Sequence, residues 1–310
     1  MFDIIGKRFW YFMISGIVIL AGVIALFVFG LKFGIEFGSG YETTISFDEQ
    51  QVDKQQLTQA LADLGYGSGN AIVRQAGSDF IVDLPELEDA AKAALRAGLA
   101  DKLGEFRGGG FQSVSAKTAA ETTRNAAIAV IISAIGMLIY ISWAFHSMPN
   151  PFRWGTCAIA SLVHDVLVVV GVFAILSGIF GWQIDLMFIA GVLTVIGYSV
   201  NDTIVIFDRI RENVRNYGDT DFEGVVNYSL VGTMSRTFIT GVGTLFVLIA
   251  LLLFVGANIQ NLVVVLLVGI ITGTYSSIGT AASLLVVWKK GEWGRFIGQR
   301  PLSSVQAEGR

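Results

Sequence analysis

Ionisable side chains inside long uncharged runs are where this sequence can do chemistry. A charge at the centre of a membrane span costs about 2.5–3.5 kcal/mol on insertion scales, so each one needs a reason. Asp202 is the sharpest candidate. It lies six residues before Asp208, which puts it roughly 9 Å inside the end of its helical run. Gly191, Thr194, Tyr198 and Asp202 recur at helical spacing with Asn201 beside them, a polar stripe on an otherwise apolar helix. A second stripe, Arg236, Thr240 and Gly243, opens the next run. With the two runs antiparallel, Asp202 and Arg236 reach similar depth, where a charge pair fits. A carboxylate in a polar, partly hydrated seam takes and releases protons, while an arginine stays charged, modulates that exchange and offers alternate partners. The same two residues would equally serve as a buried salt bridge that only fixes helix packing, and Arg236 is long enough to snorkel to the interface. His164 and Asp165, in an earlier run, are read first as a pair hydrogen-bonded to a neighbouring helix and second as another relay station. Asp185 reads as a helix-start residue favoured by the dipole, and Asp208 as a surface ion-pair member beside Arg209 and Arg211.

These residues must be positioned by membrane spans. The chain has 310 residues, 53% hydrophobic and 15% charged, with a mean hydropathy of +0.64. A soluble domain carries about 25% charged residues, and here the deficit is gathered into runs. Between Arg236 and Lys289 stand 52 residues without Asp, Glu, Lys or Arg, enough for two spans of about 20 residues. Asn258, Gln260 and Asn261 are read as the turn between them. The pattern predicts six spans, at about 9–30, 125–145, 154–178, 184–207, 238–257 and 262–288. The first is too long for a signal-peptide core and has no A-x-A-like site after it, so it reads as an anchor. Lys7, Arg8, Arg153, Arg209, Arg211, Arg215, Arg236, Lys289, Lys290, Arg295, Arg300 and Arg310 all fall on one side, which the positive-inside rule makes cytoplasmic, with both termini. All six tryptophans lie at or just beyond predicted span ends, as headgroup anchors would. Cys157, alone and inside a span, reads as a small buried residue.

Residues 31–124 are different, holding 23 of the 46 charged residues. Strands are predicted at Tyr41 to Phe47, Ala71 to Gln75, Phe80 to Leu84 and Phe111 to Ser115, with a turn at Gly77-Ser78. Helices are predicted from Val52 to Leu64 and from Pro85 to Leu103. The order βαββαβ is a split ferredoxin-like unit. The expected architecture is therefore a multi-pass α-helical membrane protein with one α+β extracytoplasmic domain: residues 1–30 form the N-terminus and first span, 31–124 the domain, 125–288 a five-helix bundle and 289–310 a cytoplasmic tail. The domain has no Cys, no His, no triad candidate and no metal-ligand cluster, so it reads as a binding or lever domain and not as an enzyme. No P-loop pattern surrounds Gly6-Lys7. No basic block suits nucleic acid.

The run Gly197-Tyr198-Ser199-Val200-Asn201-Asp202-Thr203-Ile204-Val205, continuing to Asp208-Arg209-Ile210-Arg211-Glu212-Asn213, resembles the signature of the SecF family of the bacterial Sec protein-export machinery. Val163-His164-Asp165-Val166, Ser229-Leu230, Ser235-Arg236-Thr237 and Gly34-Ile35-Glu36-Phe37 resemble the same family. The sequence departs from it at Gly38-Ser39-Gly40, where a paired glycine is more usual. The resemblance implies half of a resistance-nodulation-division transporter in the bacterial cytoplasmic membrane, paired with SecD into a twelve-span bundle. It implies association with the SecYEG channel and a pull on the translocating polypeptide, driven by the proton gradient without a cofactor. The family's intramembrane Asp and Arg fall on Asp202 and Arg236, with Thr240 as a further participant. Two other functions fit the same architecture: a half-size proton-driven exporter of small hydrophobic molecules, and a non-transporting scaffold for a channel.

Overall fold

The structure, a computed structural model, describes residues 2–47, 52–67, 70–76, 79–218, 221–254 and 257–297. A short 3₁₀ turn leads into α1 (Arg8–Phe29), and the domain follows as α2 (Ile35–Gly38), β1 (Gly40–Ser46), α3 (Lys54–Asp63), β2 (Ile72–Ala76), β3 (Asp79–Leu84), α4 (Asp89–Leu103) and β4 (Arg107–Val114). The remaining helices are α5 (Ala116–Ala144), α6 (Pro151–Phe180), α7 (Leu186–Tyr217), α8 (Phe222–Phe254), α9 (Ala257–Ser276) and α10 (Ala282–Lys290), the last two joined by a π-helical turn, Ser277–Ala281. Six of these segments are long and apolar enough to cross a membrane.

The four strands pair antiparallel in the order β2-β3-β1-β4, the ferredoxin-like arrangement, with α3 and α4 packed on the sheet through Leu57, Leu61, Leu95 and Leu99. Asp53 and Gln56 close a reciprocal capping box that starts α3. Two boundaries differ from expectation. Helix α4 begins at Asp89 and not at Pro85, because Leu84 is still paired with Tyr41 and the chain spends the next four residues leaving the sheet. Strand β4 begins at Arg107, earlier than the alternation suggested. Thr43 pairs with Phe111 and Thr44 with Gly109, so Gly110 is the extra residue of a bulge, and the glycines there mask the strand pattern. The expected Gly77-Ser78 turn and the tail beyond residue 297 lie outside the described residues.

Ser39 takes φ 59 and ψ 156, a region open essentially to glycine. Ser39→Gly is expected to raise stability by about 1 kcal/mol net, readable as a higher thermal midpoint in detergent; an unchanged or lower midpoint would contradict this.

In the bundle, α6 and the α9–α10 pair are the interior: half of each one's most apolar stretch is buried, against 6% for α5. Exposed Phe27 on α1, Ile132 on α5 and Phe246 on α8 form a surface suited to lipid. Glycines set the closest crossings. Gly22 of α1 and Gly171 of α6 meet backbone to backbone, while Gly269 takes Val195 and Gly273 takes Ser199 where α9 crosses α7. The helices run past the expected spans. Helix α8 begins at Phe222, so Arg236 lies within it, and α7 continues to Tyr217, carrying the Asp208–Arg211 ion pair on its extension. Helix α5 starts at Ala116, on the domain side of the expected boundary. Asn261 belongs to α9 and not to a turn; it donates to Gln183 O at 3.0 Å and to Asp185 Oδ2 at 2.6 Å, and Asn258 and Gln260 are helical too. Trp154 is not an interfacial anchor. It is buried, stacked on Phe145 and edge-on to Phe207.

The domain rests on the α6–α7 connection. Ile184 N donates to Lys32 O and Gly34 N to Ile184 O, each at 2.8 Å, and Gln183 Nε2 donates to Asp83 Oδ2 at 2.8 Å. Asp83 in turn shares Arg74 with Glu42, at 3.0 and 2.7 Å. Burial, and then the adjacent Asp83, push the Glu42 carboxyl up from 4.5 to about 7 against the pull of Arg74. The folded state therefore holds more protons than the unfolded chain between those values, and this stabilising contribution is present below the window and lost as pH rises through it. The thermal midpoint is expected to fall between about pH 4.5 and about pH 7, and to fall less in Glu42→Gln. Equal slopes in the two proteins would contradict this.

Candidate functional site

Helix α7 has two working faces. Ser199, Thr203, Ile206 and Ile210 are buried against the rest of the bundle, while Thr194, Gly197 and Asn201 are exposed. Asp202 sits between these faces, half-buried. Its Oδ1 accepts a hydrogen bond from the Thr237 hydroxyl at 3.0 Å. Its Oδ2 is buried with no hydrogen-bond partner among the described residues. A buried carboxylate oxygen without a donor is costly unless it is protonated or meets a group from elsewhere.

Arg236 is exposed and makes no ion pair among the described residues. The direct Asp202–Arg236 salt bridge that the depths allowed is therefore not formed. Thr240 is turned back on its own helix, donating to Arg236 O at 3.0 Å and to Thr237 O at 3.1 Å. The residue that touches Asp202 is Thr237, one position from the arginine. Its signal in the sequence is the spacing Thr233, Thr237, Gly241, a stripe of small residues beside Arg236, Thr240 and Gly243.

The expected α7 stripe divides likewise. Gly191 is buried against Val265, and Tyr198 packs on the Leu248, Val263 and Ile270 cluster, so neither joins a polar seam. What remains polar and open is one face shared by two helices: Thr194, Gly197 and Asn201 from α7, and Arg236, Thr240 and Gly243 from α8, all exposed. A Cβ added at Gly197 or Gly243 would meet nothing within 4 Å. Arginine and asparagine on a face of membrane-spanning helices do not suit hydrocarbon.

His164 and Asp165 lie on the other side of α7, in the bundle interior. Asp165 Oδ1 is 3.0 Å from His164 Nδ1, and its Oδ2 accepts from Ser199 at 2.6 Å and from Ser276 at 2.8 Å. His164 Nε2 is 3.0 Å from the Ser15 hydroxyl of α1. The pair is thus bonded to three neighbouring helices and is separate from Asp202. Asp185 caps α7, accepting from Phe188 N at 2.7 Å. No group of three or more His, Cys, Asp or Glu among the described residues could hold a metal ion.

The family profile described as protein export membrane protein SecD/SecF, C-terminal, matches residues 98–291. The chain is 40% identical over 96% of its length to protein translocase subunit SecF of Thermobaculum terrenum, covering 96% of that protein. It is 38% identical over 98% of its length to the same-named subunit of Anaerolinea thermophila, covering all of it. Among solved structures it is similar to SecDF, a translocon-associated membrane protein from Thermus thermophilus, with a TM-score of 0.83 and 30% identity over 93% of this chain and 38% of that one.

Proposed function

The chain belongs to the SecD/SecF family of protein-export membrane proteins, and on that premise we propose that it is the SecF half of a proton-driven export device. Paired with a SecD half, it lets protons pass Asp202 and uses their fall in free energy to draw polypeptide outward after it emerges from a SecYEG channel. In this arrangement the domain lies on the outer side of the bacterial cytoplasmic membrane and both termini lie on its cytoplasmic side. The observation that carries this reading is Asp202 Oδ2, buried and without a donor among the described residues, at the edge of a polar face that those residues leave uncovered. A second six-span half laid on that face would supply the missing partner, cover Asn201 and Arg236, and enclose a route for protons between the halves. Loss or gain of one proton at Asp202 then changes which groups Thr237, Arg236 and the partner can hold, which is enough to bias a two-state bundle. No nucleotide, metal or other cofactor enters the scheme, and no bond is made or broken in the substrate, so the chain acts as a transport subunit.

The face itself is testable. Gly197→Trp places a large ring where this chain has open space, so the variant is expected to accumulate and insert normally but to lose co-purification with the SecD subunit at least about tenfold, a cost of about 1.4 kcal/mol or more. Undiminished co-purification, with export intact, would show that the partner lies elsewhere.

A further inference from the structure

We propose that Asp165 is a positioning residue: through Ser199 and Ser276 it holds α7 at the rotation that sets Asp202 against Thr237. The inference rests on the proton-carrying reading of Asp202 for its consequence, but its geometry stands apart from that reading.

Asp165 is 1% exposed, and a carboxyl so deep in a bundle is retained only with its oxygens satisfied. Both are: one by His164, the other by the Ser199 and Ser276 hydroxyls together. The second oxygen thereby joins α6, α7 and α9 at a single atom. Close backbone approach makes this reach feasible, since Gly273 of α9 lies directly against Ser199. One turn along α7, Thr203 meets Ser277 hydroxyl to hydroxyl at 2.9 Å. Ser277 opens the π-helical turn, and π-turns are frequent where a helix serves a site. On its far side the node reaches α1, through His164 to Ser15, whose hydroxyl is 3.3 Å from that of Tyr275. Among the described residues, His164 and Tyr275 are the titratable groups linked to Asp165 through this network.

Ser199 and Thr203, at i and i+4, pin one face of α7, and Asp202 lies between them in sequence on the adjoining face. A carboxyl group rides about 5 Å from the helix axis, so a turn of 20° would move it about 1.7 Å. That is enough to break a hydrogen bond of 3.0 Å to Thr237. Packing resists such rotation through shape, with Val195 seated on Gly269 and Ser199 on Gly273. Two hydroxyls on one buried carboxyl oxygen add a directional restraint, because a hydrogen bond weakens steeply as its angle and length depart from ideal.

The test uses Ser199→Ala and Ser276→Ala, singly and together, in membranes containing the complete assembly. Two readouts are made. In the first, modification of Asp202 by dicyclohexylcarbodiimide is followed against pH by mass spectrometry; the double variant is expected to displace the midpoint by about half a pH unit or more, a threefold change in proton affinity. In the second, Cys157 is replaced by alanine and the pair Asp202→Cys with Thr237→Cys is oxidised to a disulfide, which needs no titration of Asp202. The double variant is expected to slow that cross-link at least threefold. An unchanged cross-linking rate in folded, assembled protein overturns the proposal whatever the first readout gives. A slowed cross-link with no pH-dependent labelling of Asp202 even in the unaltered protein upholds the positioning role and counts against the proton-carrying reading instead.

Discussion

Asp202→Asn is expected to fold, insert and assemble, and to export polypeptide no faster with a proton gradient than without one. The asparagine oxygen can still accept from the Thr237 hydroxyl, which now bonds Asp202 Oδ1 at 3.0 Å. Its amide occupies the place of Oδ2, which already lacks a partner within the described chain. The stability change should therefore be small, within about 1 kcal/mol. What is lost is the capacity to bind and release a proton. Each proton moving through 100 mV carries about 2.3 kcal/mol, comparable to the 1–3 kcal/mol of coupling that typically links two sites in a protein. Removing that one event removes the whole gradient-dependent component and leaves the gradient-independent component untouched. Inverted vesicles carrying the variant, compared with and without an imposed gradient, provide the check. A scaffold function gives the opposite pattern, with export per assembled complex unchanged.

The second large effect is structural. Gly22 and Gly171 approach so closely that a Cβ on Gly171 would lie 2.7 Å from the Gly22 Cα, and one on Gly22 would lie 2.8 Å from the Gly171 Cα. Backbone cannot move aside as a flexible side chain can. Gly171→Val must push α1 away from α6, at a cost near or above the upper end of the 1–3 kcal/mol typical of overpacking, about 3 kcal/mol. The displaced helix also carries Ser15, whose hydroxyl holds His164 at 3.0 Å. Gly22→Val should cost a similar amount. The two together should cost much less than the sum, because once the helices are parted the second branched side chain enters space already opened. Thermal or denaturant unfolding of the four proteins in one detergent measures this. Additive losses would mean that the two glycines are accommodated separately and do not form one crossing.

Much of this was legible in the amino-acid order, and the exceptions share a cause. Asp202 stood out because a carboxylate inside an apolar helix has few innocuous explanations. The βαββαβ order was legible because Leu57 and Leu61, and Phe80 and Val82, follow helix and strand periods cleanly, and they are indeed buried together. Span ends were not legible. Hydropathy stops a helix where polar residues begin, yet here the polar residues are held by distant partners. Asn227, on the early turns of α8, accepts from Ile4 N at 2.8 Å, and Arg8 is buried between Glu223 at 2.6 Å and Glu292 at 2.7 Å. Such contacts join chain segments more than 200 residues apart, and no local window contains them. The π-turn at Ser277 has no compositional mark of its own. Within the site, the arginine drew attention because charge is conspicuous. Its neighbour Thr237 makes the contact, and a threonine in a membrane helix is ordinary enough to pass unnoticed. The hydroxyls around Asp165 carry no mark as a group for the same reason: Ser15, Ser199 and Ser276 come from three helices and become a site only when the helices meet.

Protons crossing the assembled bundle by way of Asp202 are the central requirement of the proposed function. Reconstituting the complete complex into vesicles with a pH-sensitive dye inside, and imposing a proton gradient during polypeptide export, measures this directly. Dye acidification above leak is expected for the unaltered protein and none above leak for Asp202→Asn at equal assembly. Equal proton entry through both proteins would contradict the proposed function.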